Sequence, residues 1–288
     1  MAIRYQVMRF PNGKGKAVTF SYDDGQRTDL RLADTLTRYG LKGTFNLNGG
    51  EGEFGKHITP DEVKEHMLEK GHEIAVHGAC HRAPGRHRPV QGIKDILDCR
   101  LHLEETYDTI IRGMAYPDSG IRRIAGFTSY ETIKDYLTDL DIAYSRSLGE
   151  DNDLFELPSD WHNWIPTAHH SNPEIFNYIE KFLKANVFEG YVSRRDSLLF
   201  YVWGHAFEFD RNDNWDLLDK ICEKISGHDE IWYATNIEIY DYVTAYNSLR
   251  YSADASRIYN PTLYTIWFEV NKKIYSIKPG ETLKIPME

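Results

Sequence analysis

Ala17-Val18-Thr19-Phe20-Ser21-Tyr22-Asp23-Asp24-Gly25 is the stretch that decides the fold. Its first four residues are apolar or β-branched and read as a buried strand. Two adjacent carboxylates end that strand and a glycine stops it. Like charges this close repel, so a cation or a proton must be shared between them. Further along, His77-Gly78-Ala79-Cys80-His81 follows a second apolar strand, His72-Glu73-Ile74-Ala75-Val76. Asp-Asp at one strand end and His-x-x-x-His at another suggest a mononuclear metal site with a carboxylate base beside it.

The chain has 288 residues, enough to bury a full core as one large α/β domain or two smaller ones. It carries 34 basic against 44 acidic residues, a net charge of −10, which argues against nucleic acid or an anionic membrane as main partner. No stretch reaches the length of a transmembrane helix. The start, Met1-Ala2-Ile3-Arg4-Tyr5, lacks the apolar run of a secretory signal, so the expected location is cytoplasmic. The three cysteines, Cys80, Cys99 and Cys222, make neither a disulfide framework nor a CxxC pair. Cys80 sits inside the His77–His81 segment, where two His and one Asp already fill a facial site.

Strand-like and helix-like segments alternate from there on. Thr28 to Tyr39 has helical apolar spacing and ends at Gly40; Lys42 to Leu47 reads as a strand. Thr59-Pro60-Asp61-Glu62 is a helix start with a capping box. Helices are expected at Val90–Ile111, Ser129–Leu140, Pro173–Ala185 and Asn214–Ile225, with Asn236 capping another to about Leu249. Strands are expected at Gly113–Pro117, Ala143–Ser145, Leu198–Trp203 and Ile231–Ala234. This alternation implies parallel strands with helical crossovers, closed or open. Asp23, Asp24, His77, His81 and His205 all fall at C-terminal strand ends, where barrel active sites lie. Residues 250–288 change pattern: Tyr264–Val270 and Lys272–Ile277 flank a hairpin turn, a small β appendage to a catalytic unit of residues 1–249.

The motifs resemble those of the NodB-like polysaccharide deacetylases, carbohydrate esterase family four. Thr19-Phe20-Ser21-Tyr22-Asp23-Asp24-Gly25 looks like the first family motif, His77-x-x-x-His81 like the second, and Val202-Trp203-Gly204-His205 like the late one. The resemblance covers roughly residues 15 to 245. It implies an α/β fold, a distorted (β/α)-barrel of about seven parallel strands, and metal-dependent removal of an acetyl group from a saccharide, N-acetyl ahead of O-acetyl. Asp24, His77 and His81 would hold the metal, Zn²⁺ first, with Co, Ni or Mn as other occupants. Asp23 would be the general base and His205 the general acid.

The third and fourth family motifs are altered. The stretch Met114-Ala115-Tyr116-Pro117-Asp118 has Ala where Arg is common and Asp where an aromatic is common. Tyr116, Pro117 and Asp118 are expected at the substrate, with the Asp118 N–H facing the oxyanion. Asp160-Trp161 best matches the fourth motif: Trp161 or Trp164 would wall the acetyl pocket and Asp160 would orient a catalytic side chain. His170, beside His169 in an aromatic, proline-containing loop, is expected to touch the sugar. Glu208 and Asp210 lie at the same rim. His57, His66, His72, His87, His102, His162 and His228 read as surface residues. Two other functions stay open: an amidohydrolase of this fold acting on a small cyclic amide or imide, and a saccharide-binding protein without catalysis. The oligomeric state is not legible.

Overall fold

The computed structural model describes residues 5–49, 58–191 and 195–286, so His57 falls outside them. In chain order the strands are β1 (Gln6–Arg9), β2 (Lys16–Asp23), β3 (Gly43–Leu47), β4 (Glu73–Val76), β5 (Gly113–Ala115), β6 (Tyr144–Arg146), β7 (Ala168–His169), β8 (Leu198–Gly204) and β9 (Ile231–Tyr233). The tail adds β10 (Arg250–Tyr251), β11 (Arg257–Tyr259), β12 (Ile266–Val270), β13 (Lys273–Ile277) and β14 (Thr282–Lys284). The helices are α1 (Thr28–Arg38), α2 (Pro60–His66), α3 (Pro89–Tyr107), α4 (Tyr130–Asp139), α5 (Ile175–Lys184), α6 (Phe207–Arg211), α7 (Trp215–Ile225) and α8 (Asn236–Asn247).

One parallel sheet runs β6-β5-β4-β3-β2-β8-β7, with β9 also paired to β2. On a single edge of β2, β9 takes Lys16–Val18 and β3 takes Phe20–Asp23. At the far end, Arg146 of β6 forms one parallel bridge with Trp164, from which the chain runs into β7. The sheet thus curls into a distorted barrel, joined at that seam by a bridge instead of a full ladder. The seven strands expected from apolar runs are all present. β7 is only two residues long, too short for periodicity to reveal.

β2 is buried along its whole length because both faces are covered. Val18, Phe20 and Tyr22 pack under the outer helices. The alternate residues Thr19, Ser21 and Asp23 face the lumen, which is small and polar. Thr19 Oγ1 donates to Asn236 Oδ1 at 2.9 Å, and Asn46 Nδ2 donates to Ser21 Oγ at 2.8 Å. Deeper, Glu73 accepts from Thr44 Oγ1 (2.8 Å), Tyr144 Oη (2.7 Å) and the Ile237 N–H (2.9 Å). These bonds form a polar ladder that leads up β2 to Asp23.

Helix ends follow their sequence signals with one correction. Thr59 and Glu62 form the expected capping box, and Gly40 takes φ of +68° after α1. The last long helix is capped by Thr235, whose hydroxyl accepts from the Glu238 N–H; Asn236 instead turns into the lumen.

The tail is stitched to the chain start. β12 pairs antiparallel with β1 and β13, and the β12–β13 turn is Asn271-Lys272 with φ of +47° and +69°. The buried Glu269 carboxylate binds Arg9 at 2.8 Å and Arg195 at 2.6 Å, both guanidiniums also buried. Arg9 further donates to the carbonyls of Arg195 (2.7 Å) and Val187 (3.2 Å). Removing the carboxylate would leave two buried cations unpaired, so Glu269→Ala should cost about 3–5 kcal/mol in urea unfolding. A change below about 1 kcal/mol would show that water reaches these guanidiniums.

Candidate active site

Asp24 follows the last residue of β2, and its φ of +84° swings its carboxylate away from Asp23. Left-handed backbone at a non-glycine residue costs on the order of 1 kcal/mol, and His81 shares it with φ of +50°. Asp24 Oδ1 lies 3.5 Å from His77 Nε2 and 3.2 Å from His81 Nε2. His77 Nδ1 is 2.9 Å from the Ala115 carbonyl oxygen, which can only accept, so Nδ1 carries the proton and Nε2 presents a lone pair. Asn48 Nδ2 donates to the carbonyls of His77 (2.8 Å) and Gly78 (3.1 Å) and holds this loop against β3.

Asp24 Oδ1 is buried and receives no hydrogen bond among the described residues. A carboxylate oxygen facing an imidazole lone pair at such distances is repulsive unless a cation stands between them. Ligands bonded at about 2.0–2.1 Å in a tetrahedron lie about 3.3 Å apart, which is the observed spacing. The three donors therefore fit a divalent metal.

Asp23 points the other way, into the lumen. Its Oδ1 accepts from Asn46 Nδ2 at 2.9 Å, and its Oδ2 accepts from Arg146. Both Asp23 and Arg146 are buried, and the guanidinium lies 4.6 Å from the centre of the Trp203 ring. Arg146 was not singled out by the motifs. Its cross-strand partner is Ala115, the position where the family commonly has arginine. Arg146 thus brings a guanidinium to Asp23 from the strand next to Ala115. The available signal was its place directly after the apolar run Ala143–Ser145.

His205 Nε2 lies 3.9 Å from Asp23 Oδ2, and its Nδ1 lies 3.6 Å from Glu208 Oε1. Glu208 Oε2 lies 2.9 Å from His169 Nε2 and 3.3 Å from His170 Nε2. One carboxylate at the start of α6 thus serves three imidazoles. Burial pulls the His205 pKa down, but Glu208, Asp23 and Asp24 more than reverse this and raise it. Burial also dominates at His170, with no such reversal, and pushes it down to about 3. His170 is 1% exposed, stacked between Tyr22 and Phe209, so it forms a wall behind Glu208 and does not face solvent. Gly204 is required beside it, because a Cβ there would stand 2.1 Å from His170 Nδ1.

The remaining expected residues divide. Asp118 is exposed after β5, and its N–H makes no hydrogen bond among the described residues. Pro117 is buried against the Gly78 turn. The Tyr116 side chain is turned inward, its hydroxyl donating to the His162 carbonyl at 2.9 Å, so it is not presented to a ligand. Asp160 and Trp161 are not brought to the site. They line a cavity of about 520 Å³ with Arg112, Lys134 and Ala143, residues at the N-terminal ends of β5 and β6 and on α4. Asp160 there accepts from Tyr130 Oη (2.7 Å) and Lys134 Nζ (2.8 Å), and Trp161 packs on Trp164 and Tyr240. Of the expected surface histidines, His72 and His162 are buried.

Residues 10–132 match the polysaccharide deacetylase family model. The resemblance read from the motifs stands, and with it the class of a hydrolase. Among solved structures, the fold is similar to a candidate polysaccharide deacetylase from Mycobacterium smegmatis (18% identity, 84% of this chain and 94% of that one, TM-score 0.57). It is also similar to the Puue allantoinase (12% identity, 81% and 91%, TM-score 0.57). A third is the Xyl-CE4 domain of a multidomain xylanase from the hindgut metagenome of Trinervitermes trinervoides (17% identity, 81% and 92%, TM-score 0.50). No curated protein matches. At these identities the three structures speak for the fold alone. The deacetylase family match ends before Arg146, His169 and Glu208, whose positions rest on geometry.

The buried Asp23–Arg146 pair gives a double-mutant test. Arg146→Met strands a buried carboxylate and should cost about 3–5 kcal/mol of stability. Adding Asp23→Asn should recover most of that loss, and strict additivity of the two would mean the pair is not coupled.

Proposed function

We propose that the chain is a metal-dependent deacetylase of saccharides, acting on N-acetyl ahead of O-acetyl groups. The observation that carries this reading is the convergence of Asp24, His77 and His81 on one point, beside the separate Asp23–His205 pair. Asp24, His77 and His81 would hold a divalent ion, Zn²⁺ first, which when bound polarises the acetyl carbonyl and acidifies its water. Asp23, oriented by Asn46 and Arg146, takes the proton of the attacking water. The Asp118 N–H donates to the oxygen on which negative charge develops. His205, positioned by Glu208, returns a proton to the leaving amine or alkoxide. Pro117 shapes the wall beside His77, and His170 backs Glu208.

A second reading uses the same groups on a small cyclic amide, and the likeness to an allantoinase over 91% of that chain favours keeping it. Acetate release from acetylated sugars against ring opening of cyclic amides separates the two.

Protein purified without chelator should carry one divalent ion per chain, lost in Asp24→Ala/His77→Ala and measured by elemental analysis. No ion after addition of excess Zn²⁺ or Co²⁺ would sink the mechanism. Asp23→Asn should retain the ion and lower kcat by about 10²–10⁴-fold. The general acid must be protonated, so kcat should fall as pH rises through the His205 pKa. That pKa is raised chiefly by Glu208, so Glu208→Gln should move this alkaline limb to lower pH. An unmoved limb would assign it to another group.

A further inference from the structure

We infer that the substrate of this site is an anionic saccharide, bound through its carboxylate or phosphate groups by an arginine rim at the barrel mouth. This rests on the deacetylase reading and names its substrate class. Residues 82–94 and 119–130 hold six of the chain's basic residues and none of its 44 acidic ones. The first segment leaves β4 directly after His81, and the second leaves β5 directly after Asp118. They are therefore the two loops that border the proposed metal and oxyanion positions.

The loops are locked to each other. The Gly85 N–H donates to the Gly120 carbonyl at 3.1 Å, and the Ala125 N–H donates to the Gly85 carbonyl at 2.8 Å. A Cβ at Gly85 would stand 2.5 Å from the Arg123 carbonyl oxygen, so only glycine allows this approach. The result is a platform carrying Arg82, Arg86, Arg88, Arg122 and Arg123, all exposed. None of the five side chains makes an ion pair or hydrogen bond among the described residues.

Cations elsewhere on this acidic chain fall into two groups. The exposed Lys64, Lys70, Arg250 and Lys273 also hold no carboxylate among the described residues, but they are scattered instead of gathered on two joined loops. Arg27, Arg38, Arg112, Lys134 and Lys181 each hold a carboxylate within 3.0 Å. Five arginines with no carboxylate partner among the described residues concentrate positive potential where an anion would reduce their mutual repulsion. α3 begins at the same rim with no acidic residue in its first turn, so its positive end adds to the field. Phe127, 53% exposed on the second loop, offers a ring face for sugar stacking. Arginine geometry suits both carboxylate and phosphate, so the shared chemistry is a planar or tetrahedral oxyanion on the sugars flanking the acetyl group.

The test uses calorimetric binding and acetate release with the metal-loaded full chain. The probes are tetra-N-acetylchitotetraose (neutral), an N-acetylheparosan tetrasaccharide (carboxylated), a phosphorylated chitotetraose and a single-stranded oligonucleotide. At low salt one or both anionic sugars should bind about tenfold tighter than the neutral one, with the difference lost near 0.5 M NaCl. Whichever anionic sugar wins identifies the group. Arg86→Gln/Arg122→Gln/Arg123→Gln should raise KM for that sugar about tenfold, with kcat and the neutral sugar unaffected. Equal binding of neutral and anionic sugars, no effect of the triple variant, or oligonucleotide binding as tight as the best sugar overturns the rim. Arginine-dependent sugar binding without acetate release from any probe would uphold the rim and remove the deacetylase reading.

Discussion

Two adjacent carboxylates must be buried at the end of one strand, and much of the structure answers that constraint. Repulsion at this separation is relieved only if each carboxylate finds its own cation. Strand alternation sends Asp23 into the lumen, where Arg146 and Asn46 meet it. The left-handed backbone of Asp24 sends the second carboxylate outward, toward His77 and His81. A small polar lumen follows, since Thr19 and Ser21 lie on the face that ends in Asp23. The seam at β6 follows too: Arg146 both closes the barrel against Trp164 and neutralises Asp23.

The strands were legible because each is a short apolar run bounded by polar groups, and the site because those groups sit at C-terminal ends. What escaped was non-local. β1 has no meaning until β12 arrives from the other end of the chain, and their union is fixed by Glu269 between Arg9 and Arg195. Asp160-Trp161 looked like part of the site as a dipeptide. Its partners Tyr130, Lys134 and Tyr240 hold it at the opposite end of the strands, and only the path of the chain after β6 shows this. Glu208 was seen as a rim carboxylate, but its closeness to His169 and His170 depends on the two-residue β7.

The altered third motif has a simple geometric account. Ala115 and Arg146 are register partners on neighbouring parallel strands. Paired residues in a sheet stand about 5 Å apart and share a face, so an arginine from either can reach the same point in a narrow lumen. With Ala on β5, the guanidinium at Asp23 is supplied by Arg146 of β6. Asp118, past the end of β5, is exposed, and its N–H makes no hydrogen bond among the described residues.

Charge in the site is sorted by burial as much as by sequence. His170 and His205 face one carboxylate, yet they move in opposite directions. His170 is sealed between Tyr22 and Phe209, where a charged ring would lose its hydration without gaining a dedicated partner, and it stays neutral. His205 lies between Glu208 and Asp23 and is partly open, so the field of two carboxylates prevails over the burial cost and favours the proton. The two neighbouring imidazoles are thus pushed in opposite directions by their surroundings. The buried neighbour supplies shape, and Gly204 gives it the room to do so.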